Sequence, residues 1–447
     1  MKRTMLGSAQ MAQAIEDYQQ HSKPFFFSNG SMALLGIGKQ KSLNVKTCFS
    51  NLDSKVRELL TDSKTPQCDN PVALGIIPFC ESETAKFIVP EQLYVASSLR
   101  PEHLKTKQPT PTQPPSIAPE PKPSDYTDAV QKALKEMTKG RFEKVVLSRA
   151  LTIQSREPIA LNNLLATLLK QNSKGYTFCA EIGEGENKNS LIGSSPELLV
   201  SRKGRQVCSN PLAGSRKRDI EENKNETLSF SLLESDKDLR EHSLVVEAVE
   251  NTLQNHCSNL YSPMLPSVIS TPSMLHLSSY LEGTLQNEST SVLKLATDLH
   301  PTPAVCGFPK EAAKQFIDQQ EPFDRRYFTG LVGWVDSRGN GEWVVVIRSA
   351  EVSEFSVKVF AGAGIVEGSI PNDELDETGN KMRTILNALN ISLDSEGKPK
   401  KPSDGVNLNR TKEAETTKLN RIKILSKAKE AAQSFHKKVT IKNEERV

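Results

Sequence analysis

Apolar and polar residues follow two different periods along this chain, and the change from one to the other predicts a mixture of helices and strands. Apolar residues recur at helical spacing in segments that we predict to be helices: Tyr126–Lys139, Leu161–Leu169, Lys237–Leu253 and Pro371–Leu389. β-Branched and apolar runs predict strands at Ser31–Gly38, Val72–Phe79, Lys144–Ile153, Tyr176–Ile182, Leu191–Ile192, Glu197–Ser201, Gln206–Ser209, Met274–Leu285, Phe328–Val335, Glu342–Ala350 and Ser356–Ala361. Consecutive strands with helices between them favour mixed α/β layers over a strict parallel βαβ array.

Two segments differ in composition from the rest of the 447-residue chain. Gln108–Asp125 carries repeated prolines, which fix φ and remove backbone donors, so we predict neither a helix nor a central strand there. It is either a linker between domains or a long surface crossing within one domain. The stretch Ser392–Asn409 is rich in Ser, Pro, Gly and Lys and is typical of disorder, whereas Thr411–Val439 has the apolar spacing of a basic helix.

Charge and cysteine content argue against several classes of protein. Lys and Arg number 57 and Asp and Glu 54, a formal charge of +3, which is too small a bias to indicate nucleic acid or a membrane surface as the main partner. The seven cysteines form no CxxC pair, which argues against a disulfide framework or a zinc site and favours a reducing compartment. There is no apolar signal segment, and no stretch approaches the roughly 20 apolar residues that span a bilayer. We therefore expect a cytoplasmic, unprocessed protein.

Two of the predicted helices carry acidic residues three positions apart, so that each acidic pair lies on one helical face. The second helix follows a strand that we predict to end at Gly362–Gly364. The residues concerned are Asp238 and Glu241 on the first helix, and Glu374, Glu377 and Lys381 on the second. Each group alone is typical of a solvated helix surface, but two such helices facing one cavity would suit Mg²⁺, which takes oxygen ligands. Spacing alone leaves both interpretations open.

Four further ionisable residues lie at or within predicted strands. Lys144 begins a strand, either as a lysine that guards a sheet edge or as a desolvated base, and Glu197 is compatible with a capping-box role. His276 alternates with apolar residues, which suits a core histidine as well as a ligand-binding one. Arg348 lies in the apolar stretch WVVVIRSA, where a guanidinium requires an anionic partner such as a substrate carboxylate. In the absence of a nucleophilic triad, P-loop or dinucleotide motif, these residues favour a Mg²⁺-assisted enzyme that acts on a small polyanion by acid/base chemistry.

A series of motifs between Lys144 and Leu389 resembles, in sequence and in order, the chorismate-utilising enzymes. The motifs are KVVLSR, GSSPELLVSR, NPLAGSRKR, SDKDLREH, MLHLSSYLEG, LHPTPAVCGFP, EPFDRRYFTGLVGW, GEWVVVIR and AGAGIVEGS with DETGNK. Within this family the chain is most similar to isochorismate synthases of the siderophore (2,3-dihydroxybenzoate) type. The resemblance implies one large α/β chorismate-binding domain, in which two stacked halves form a β-sandwich with outer helices.

The resemblance also divides the chain into parts. Residues 1–107 would be the variable N-terminal part of the fold, 108–125 a Pro-rich crossing segment and 126–391 the catalytic core. Residues 392–447 would be a basic C-terminal extension without a counterpart in the family. It is either disordered or a helix that docks on a partner or on acidic lipid.

A reaction and its acid and base follow from the resemblance as expectations. Lys144 would activate water for attack on carbon 2 of chorismate, and Glu197 would protonate the departing 4-hydroxyl, which gives isochorismate. Mg²⁺ would anchor the ring carboxylate, held by Glu241 and Glu377, with Asp238 and Glu374 orienting its waters. The residues implied to bind the substrate are Arg348, Gly364 and Lys381 at the enolpyruvyl carboxylate, and Gly214, His276 and Ala304 around the ring.

Three positions bear on which reaction of the family occurs. Ala213 replaces the nucleophilic lysine of aminodeoxychorismate synthases, Ala304 stands where anthranilate and salicylate synthases usually have Thr, and Phe328 where salicylate-forming members often have Tyr. They favour an isochorismate synthase that supplies siderophore synthesis. The alternatives are a salicylate synthase, a menaquinone-pathway isochorismate synthase and a non-catalytic chorismate-binding scaffold. We expect a monomer, and a downstream isochorismatase is the one protein partner that the resemblance suggests.

Overall fold

Two large β-sheets pack face to face and carry helices on their outer surfaces. The computed structural model describes residues 1–392 apart from 22–23, 47, 107–114, 184–188 and 220. Within these residues the strands form sheets of 11, nine and three strands. Phe27 and Phe178 from the first sheet meet Leu74 and Val344 from the second in one apolar cluster between the sheets. The expected α/β class and its β-sandwich are therefore confirmed.

The elements follow one another along the chain in a mixed order. The helices are α1 (Ser8–Glu16), α2 (Leu52–Thr61), α3 (Pro123–Thr138), α4 (Leu161–Gln171), α5 (Glu222–Leu233), α6 (Asp236–Gln254), α7 (Val292–Leu299), α8 (Lys310–Gln320) and α9 (Pro371–Ala388). The strands are β1 (Lys2–Met5), β2 (Phe25–Ser28), β3 (Ala33–Ile37), β4 (Lys41–Val45), β5 (Val72–Ile77), β6 (Ala85–Val89), β7 (Gln92–Ala96), β8 (Ser116–Glu120), β9 (Lys144–Gln154), β10 (Tyr176–Glu181), β11 (Ser190–Ser195), β12 (Leu198–Lys203), β13 (Gln206–Asn210), β14 (Leu212–Lys217), β15 (Cys257–Tyr261), β16 (Ser267–Ser270), β17 (Met274–Ser278), β18 (Leu281–Leu285), β19 (Gly307–Phe308), β20 (Leu331–Asp336), β21 (Gly341–Val345), β22 (Ser349–Val352) and β23 (Ser356–Val366).

Strand order brings distant parts of the chain together. The 11-stranded sheet runs β1-β7-β3-β2-β10-β11-β22-β23-β9-β19, with β8 also paired to β9. The nine-stranded sheet runs β15-β18-β13-β12-β21-β20-β5-β6-β4, and the small sheet β14-β17-β16. β9 and β23 pair antiparallel over their whole length, which sets Lys144 opposite Val366 and Val146 opposite Gly364. Residues that are more than 200 positions apart thus share one wall of the molecule.

Each large sheet also packs its outer face against helices. Leu165 of α4 and Ile385 of α9 share an apolar cluster with Val359 of β23, on the outside of the 11-stranded sheet. Val249 of α6 and Leu293 of α7 lie in the corresponding cluster of the nine-stranded sheet. Burial of these aliphatic side chains is the main favourable contribution to folding. It also fixes α6 and α9, the two helices that carry the predicted carboxylates.

Two stretches that the sequence predicts as single strands are each broken, and in both the chain passes from one sheet to another. Met274–Leu285 divides into β17 in the small sheet and β18 in the nine-stranded sheet. Glu342–Ala350 divides into β21 in the nine-stranded sheet and β22 in the 11-stranded sheet. Both halves are buried, so the apolar pattern runs through the break without interruption. Arg348 lies at the second break rather than inside a strand.

Two other boundaries also differ from the predictions. The glycines Gly362–Gly364 lie within β23, which continues to Val366, so the strand does not end at them. Within Gln108–Asp125, helix α3 already begins at Pro123, where the missing N–H of proline costs no helical hydrogen bond. The expectation of no central strand there agrees with β8, which pairs only with β9.

The described residues all belong to one compact unit, including the described part of the Pro-rich segment. The division of the chain at 107, 125 and 391 stays a prediction. The predicted helix Thr411–Val439 and nearly all of the C-terminal extension lie outside the described residues. Among the helices that are described, none is long and apolar enough to cross a membrane.

A buried ion pair ties the segment that follows α8 to β9. Arg325 and Glu321 are separated by 2.5 Å, and their side chains are 3% and 4% exposed. The Arg325 guanidinium donates to the carbonyl oxygens of Val305 and Val146 at 2.7 Å each, and Glu321 accepts from the backbone N–H of Ser148 at 2.8 Å. The pair therefore satisfies backbone hydrogen-bonding groups both in β9 and in the segment that leads into β19.

Replacing Arg325 by Leu is expected to lower the free energy of unfolding by about 3–5 kcal/mol, because the Glu321 carboxylate would be left buried without a counter-ion. Urea denaturation followed by circular dichroism measures the change. Arg338→Leu, which breaks an exposed pair with Asp69, is the control and should cost less than about 1 kcal/mol. Equal effects of the two substitutions would contradict the structural role of the buried pair.

Candidate active site

One cavity brings together side chains from the 11-stranded sheet, the small sheet and two helices. Its walls come from β9, β14, β17, β23, α6 and α9, from the turn between β11 and β12, and from the chain segments around 304, 328 and 348. Eight of the residues singled out from the sequence line it: Glu197, Gly214, Glu241, His276, Ala304, Arg348, Gly364 and Lys381. Ala213 and Phe328 line it as well. Lys144 and Glu377 do not line the cavity, but each is ion-paired with a residue that does, Glu241 and Lys381 respectively. Asp238 and Glu374 are paired with Arg216 and Lys237, and none of these four lines the cavity.

Lys144 is a fully buried lysine at the start of β9. Its side chain is 0% exposed, and its Nζ lies 3.0 Å from Oε1 of Glu241. β9 is paired on both sides, by β23 and by β19 and β8, so a lysine that guards an exposed edge is the wrong interpretation. Nζ has no hydrogen-bond partner of good geometry within the described residues. The Lys144 amine is thus held by its ion pair with Glu241 and can still form a hydrogen bond with a further group.

Glu197 is a buried carboxyl group in the turn between β11 and β12. No helix begins there, so the capping-box interpretation is wrong. Burial raises its pKa to about 7, although a hydrogen bond from the Leu212 backbone and the charges of Lys144 and Lys381 act in the opposite direction. A carboxyl group of that pKa is partly protonated near neutral pH and can donate a proton to a bound molecule.

The four carboxylates predicted on α6 and α9 are paired one to one with cations. None of them belongs to a solvated helix surface, and Asp238 and Glu374 are only 2% and 1% exposed. The pairs are Lys144–Glu241 at 3.0 Å, Arg216–Asp238 at 2.9 Å, Lys237–Glu374 at 2.6 Å and Lys381–Glu377 at 2.7 Å. Lys237 of α6 reaches Glu374 of α9, so the two helices are joined by charge.

The four carboxyl groups do not share one electrostatic environment. Burial and then the neighbouring Glu377 raise the pKa of Glu374 to about 7. Burial likewise raises the pKa of Asp238. Glu241 differs: burial alone would raise its pKa, but Lys144, Lys381 and Lys237 outweigh burial and lower it. Glu241 therefore stays ionised more firmly than Asp238 or Glu374.

Two glycines allow the backbone to approach this charge cluster closely. A Cβ at Gly364 of β23 would collide with the Glu241 carboxylate and lie 3.0 Å from Cε of Lys144. Gly214 of β14 has φ +77°, and a Cβ there would lie 3.2 Å from the backbone oxygen of Asp238. A side chain at Gly364 would displace the Glu241 carboxylate from Lys144, and one at Gly214 would crowd Asp238 in the first turn of α6. Both glycines line the cavity, as expected for residues that admit a ligand close to the main chain.

Arg348 is a buried cation that points at neutral groups. Within the described residues no carboxylate lies in ion-pair distance of its guanidinium. The guanidinium donates to Nε2 of His276 at 3.0 Å, and its Nη1 lies 3.5 Å from Oγ of Ser273. Burial lowers its pKa to about 10, which still leaves it charged at neutral pH. An uncompensated buried cation in a cavity wall indicates a site for an anion.

His242 is a buried residue beside the site whose role is not predictable from the sequence. His242 lies beside Glu241 on α6, with Nδ1 3.1 Å from the Ala213 carbonyl oxygen and Nε2 2.9 Å from Oγ of Ser279. Burial lowers its pKa to about 4, so it is neutral and can hold the turn before Gly214. Its sequence neighbours predict only a helix face. Its partners come from β14 and from the break after β17, which local spacing cannot bring together.

The donor set around α6 and α9 consists of carboxylates, which suits Mg²⁺ in chemical type. The absence of a Cβ at Gly364 supports this, because it leaves the Glu241 carboxylate open to the cavity. Across the described part of the chain, however, no three acidic, histidine or cysteine side chains converge on one point. The carboxylates contact lysine and arginine instead. Magnesium binding stays a prediction.

The fold and this cavity define a chorismate-binding protein. The family model described as "Chorismate binding enzyme" matches residues 91–390, more than half of the chain, and the chain belongs to this family. The vibriobactin-specific isochorismate synthase of Vibrio cholerae is 47% identical over 88% of the chain and 98% of its own length. The isochorismate synthase DhbC of Bacillus subtilis is 44% identical over 77% of the chain and 87% of its own length.

Solved structures agree with this assignment. A crystal structure of a putative 2,3-dihydroxybenzoate-specific isochorismate synthase, DhbC from Bacillus anthracis, superposes with a TM-score of 0.80 at 40% identity, covering 86% of this chain and 99% of that one. The menaquinone-specific isochorismate synthase MenF from Escherichia coli shares the fold, with a TM-score of 0.71 at 24% identity. The resemblance seen in the sequence motifs is thereby confirmed.

Gly364→Ala is expected to destabilise the protein by about 1–3 kcal/mol, because the new methyl group would overpack the buried Lys144–Glu241 pair. The midpoint of thermal unfolding measures the effect. Gly379→Ala is a matched control on α9, since its Cβ meets nothing closer than Nη2 of Arg149 at 3.4 Å. That substitution should be neutral or stabilising, because Ala favours a helix over Gly by about 1 kcal/mol. A Gly364→Ala protein as stable as the wild type would contradict the close approach described here.

Proposed function

We propose that this protein is an isochorismate synthase, an isomerase that converts chorismate reversibly into isochorismate with Mg²⁺ and supplies 2,3-dihydroxybenzoate siderophore synthesis. The observation that carries the proposal is the composition of the cavity wall. It holds a buried acid of pKa about 7, Glu197, together with the buried Arg348 and the partly buried Lys381. Chorismate carries two carboxylates and a hydroxyl leaving group, which are the groups such a wall can bind and protonate. Two relatives that are similar to the chain along most of its length bear this activity in their names.

Proton transfer is the task of two residues, Lys144 at the start of β9 and Glu197 in the turn between β11 and β12. In its neutral amine form, Lys144 takes a proton from the water that adds to carbon 2, and the ring double bonds shift as the bond between carbon 4 and its hydroxyl oxygen breaks. Glu197 gives its proton to that hydroxyl, which leaves as water. One water enters and one leaves, so the reaction is an isomerisation, and Lys144 then loses a proton to solvent while Glu197 regains one from it. The supporting geometry is the burial of both groups. Glu197 lines the cavity, and Lys144 is ion-paired with Glu241, which also lines it.

Mg²⁺ would be held by Glu241 and Glu377, with Asp238 and Glu374 orienting its waters. The metal supplies positive charge that offsets the ring carboxylate of the substrate. Arg348, the backbone at Gly364 and Lys381 bind the enolpyruvyl carboxylate. The ring lies against Gly214, His276 and Ala304, all of which line the cavity. The side chain of Lys381 also donates to the Gly362 carbonyl oxygen at 2.9 Å, which holds its ammonium at the wall.

The residues at the wall also bear on the alternatives. Ala213, which lines the cavity, offers no amine for the covalent chemistry of aminodeoxychorismate synthases. Ala304 and Phe328 give the wall no hydroxyl groups at the positions where salicylate-forming members usually carry them. A non-catalytic scaffold has no need of so many buried ionisable groups around one cavity. We also propose that the protein acts in the cytoplasm as a monomer and that an isochorismatase consumes its product.

Incubation of the purified protein with chorismate and Mg²⁺ should give an equilibrating mixture of chorismate and isochorismate by NMR, and EDTA should stop the reaction. Lys144→Ala should lower kcat by about 10²–10⁴-fold, since a general base contributes that much. Lys139→Ala, which removes an exposed lysine at the end of α3, is the control and should leave turnover unchanged. Salicylate with stoichiometric pyruvate would instead identify a salicylate synthase. Binding of chorismate without conversion would identify a scaffold.

Glu197 is expected to make kcat/KM decrease at alkaline pH, which gives the pH–rate profile a falling limb. The acid has to be protonated, and burial raises its pKa from 4.5 to about 7, so kcat/KM should be constant below that pH and decline above it. Glu197→Gln should abolish this limb and lower kcat by about 10²–10⁴-fold. Glu342→Gln is a matched control, because Glu342 is a buried glutamate whose pKa burial also raises to about 7, but it does not line the cavity. Loss of the limb in the control alone would contradict the assignment of Glu197.

A further inference from the structure

Arg348 reaches the cavity because the chain breaks its strand at this residue. Between β21 and β22 the backbone turns through φ +51° at Arg348, a conformation that residues with a side chain rarely adopt. The residue is only 4% exposed. Its guanidinium therefore lies in the wall of the cavity rather than against either sheet, and something has to hold it there.

The direction of the hydrogen bond between Arg348 and His276 is fixed by chemistry. A guanidinium has donors and no acceptor. The 3.0 Å contact between Nη2 of Arg348 and Nε2 of His276 is a hydrogen bond only if Nε2 carries no proton. The imidazole must then carry its single proton on Nδ1, and an imidazolium ion is incompatible with this contact.

Ser215 takes the other side of the same ring. Strands β14 and β17 pair with Ser215 directly opposite His276, and Oγ of Ser215 lies 2.9 Å from Nδ1. Since Nδ1 carries the proton, the imidazole donates and the serine oxygen accepts. Both residues are buried, at 8% and 4% exposure, so water does not readily replace either contact.

We propose that Ser215 and His276 are positioning residues for the reaction: Ser215 accepts from Nδ1–H of a neutral His276, whose Nε2 in turn accepts from Arg348 and aims the guanidinium at the substrate carboxylate. The inference rests on the proposed role of Arg348 and deepens it. The relay gives Arg348 a partner that fixes its direction without neutralising its charge, as a carboxylate would. The cation remains fully available to the anionic ligand.

The electrostatic setting of the ring agrees with this geometry. Burial, and then the charges of Arg348 and Lys381, lower the pKa of His276 far below its usual value. The only groups in hydrogen-bond contact with its ring nitrogens among the described residues are Ser215 and Arg348. A neutral ring with a fixed tautomer follows from both observations.

Two substitutions at His276 test separately its Nε2, which accepts from Arg348, and its Nδ1–H, which donates to Ser215. His276→Gln keeps a side-chain oxygen that can accept from Arg348, and the KM for chorismate should rise less than about threefold. His276→Asn is too short to reach Arg348 and keeps only a donor toward Ser215, so the KM should rise about tenfold or more, the loss expected for a hydrogen bond to a charged group. In both variants kcat should change much less than KM. A fall in kcat at constant KM would overturn the proposal.

Ser215 is tested by removal and by rescue. Ser215→Ala should raise the KM about threefold to tenfold, the range for one neutral hydrogen bond, and Ser215→Thr should restore it. Ser278→Ala is the matched control: its hydroxyl donates to Asn210 at 2.7 Å, in the same strand as His276, without touching the relay. It should lower thermal stability as much as Ser215→Ala does and leave the KM unchanged. Equal KM values for the two alanine variants would overturn the role of Ser215.

NMR of the full chain with ¹⁵N-labelled histidine provides a direct readout. The His276 signal, assigned by its loss in His276→Asn, should show a protonated Nδ1 and an unprotonated Nε2 at neutral pH. An imidazolium signal or the opposite tautomer would overturn the inference. Arg348→Met distinguishes this failure from failure of the proposed function. If that variant leaves the KM unchanged, Arg348 does not bind the substrate, whereas a raised KM together with a normal His276→Asn enzyme would refute the relay alone.

Discussion

The buried ion pair between Lys144 and Glu241 is the constraint on which the rest of the cavity depends. The lysine ammonium has no exposed surface, and a charge so placed is tolerated only with a close counter-ion. The counter-ion comes from α6, so that helix has to stay against β9 and β23. This contact is possible only because Gly364 has no side chain to block it. The position of one charge thus determines the distance between a helix and the sheet beneath it.

Charge balance around this pair distinguishes two regions of the site. Each of the four site carboxylates on α6 and α9 has a lysine or arginine within 3.0 Å, which makes that region nearly neutral in sum. Arg348 has only neutral partners among the described residues, and Glu197, on the same wall, is itself close to neutral. The other region therefore carries net positive charge. A molecule with two carboxylates completes the balance there, whereas a neutral ligand of the same shape leaves Arg348 buried without compensation.

Much of this arrangement is predictable from the sequence, because it depends on short-range spacing. The acid pairs of α6 and α9, the lysine at the start of β9 and the proline that begins α9 all follow from local rules, and the order of the motifs indicates the family. The partners of these groups do not follow from such rules. Ser215 meets His276 only through the pairing of β14 with β17, across 61 residues of sequence. Strand register of that kind is set by tertiary packing, which neither residue type nor spacing encodes locally.

The two strand breaks show most clearly where local patterns fail and why the failure coincides with the site. An apolar run reads as one strand whether it continues in its sheet or crosses to another, since both halves are buried. Arg348 lies at such a crossing with φ +51°, and backbone strain at a non-glycine residue costs about 1–3 kcal/mol. Within a continuous strand its side chain would follow the alternation of the sheet and face a helix layer or the apolar space between the sheets. The strained turn directs the guanidinium into the cavity instead, so the stability lost in the backbone is the cost of an anion site.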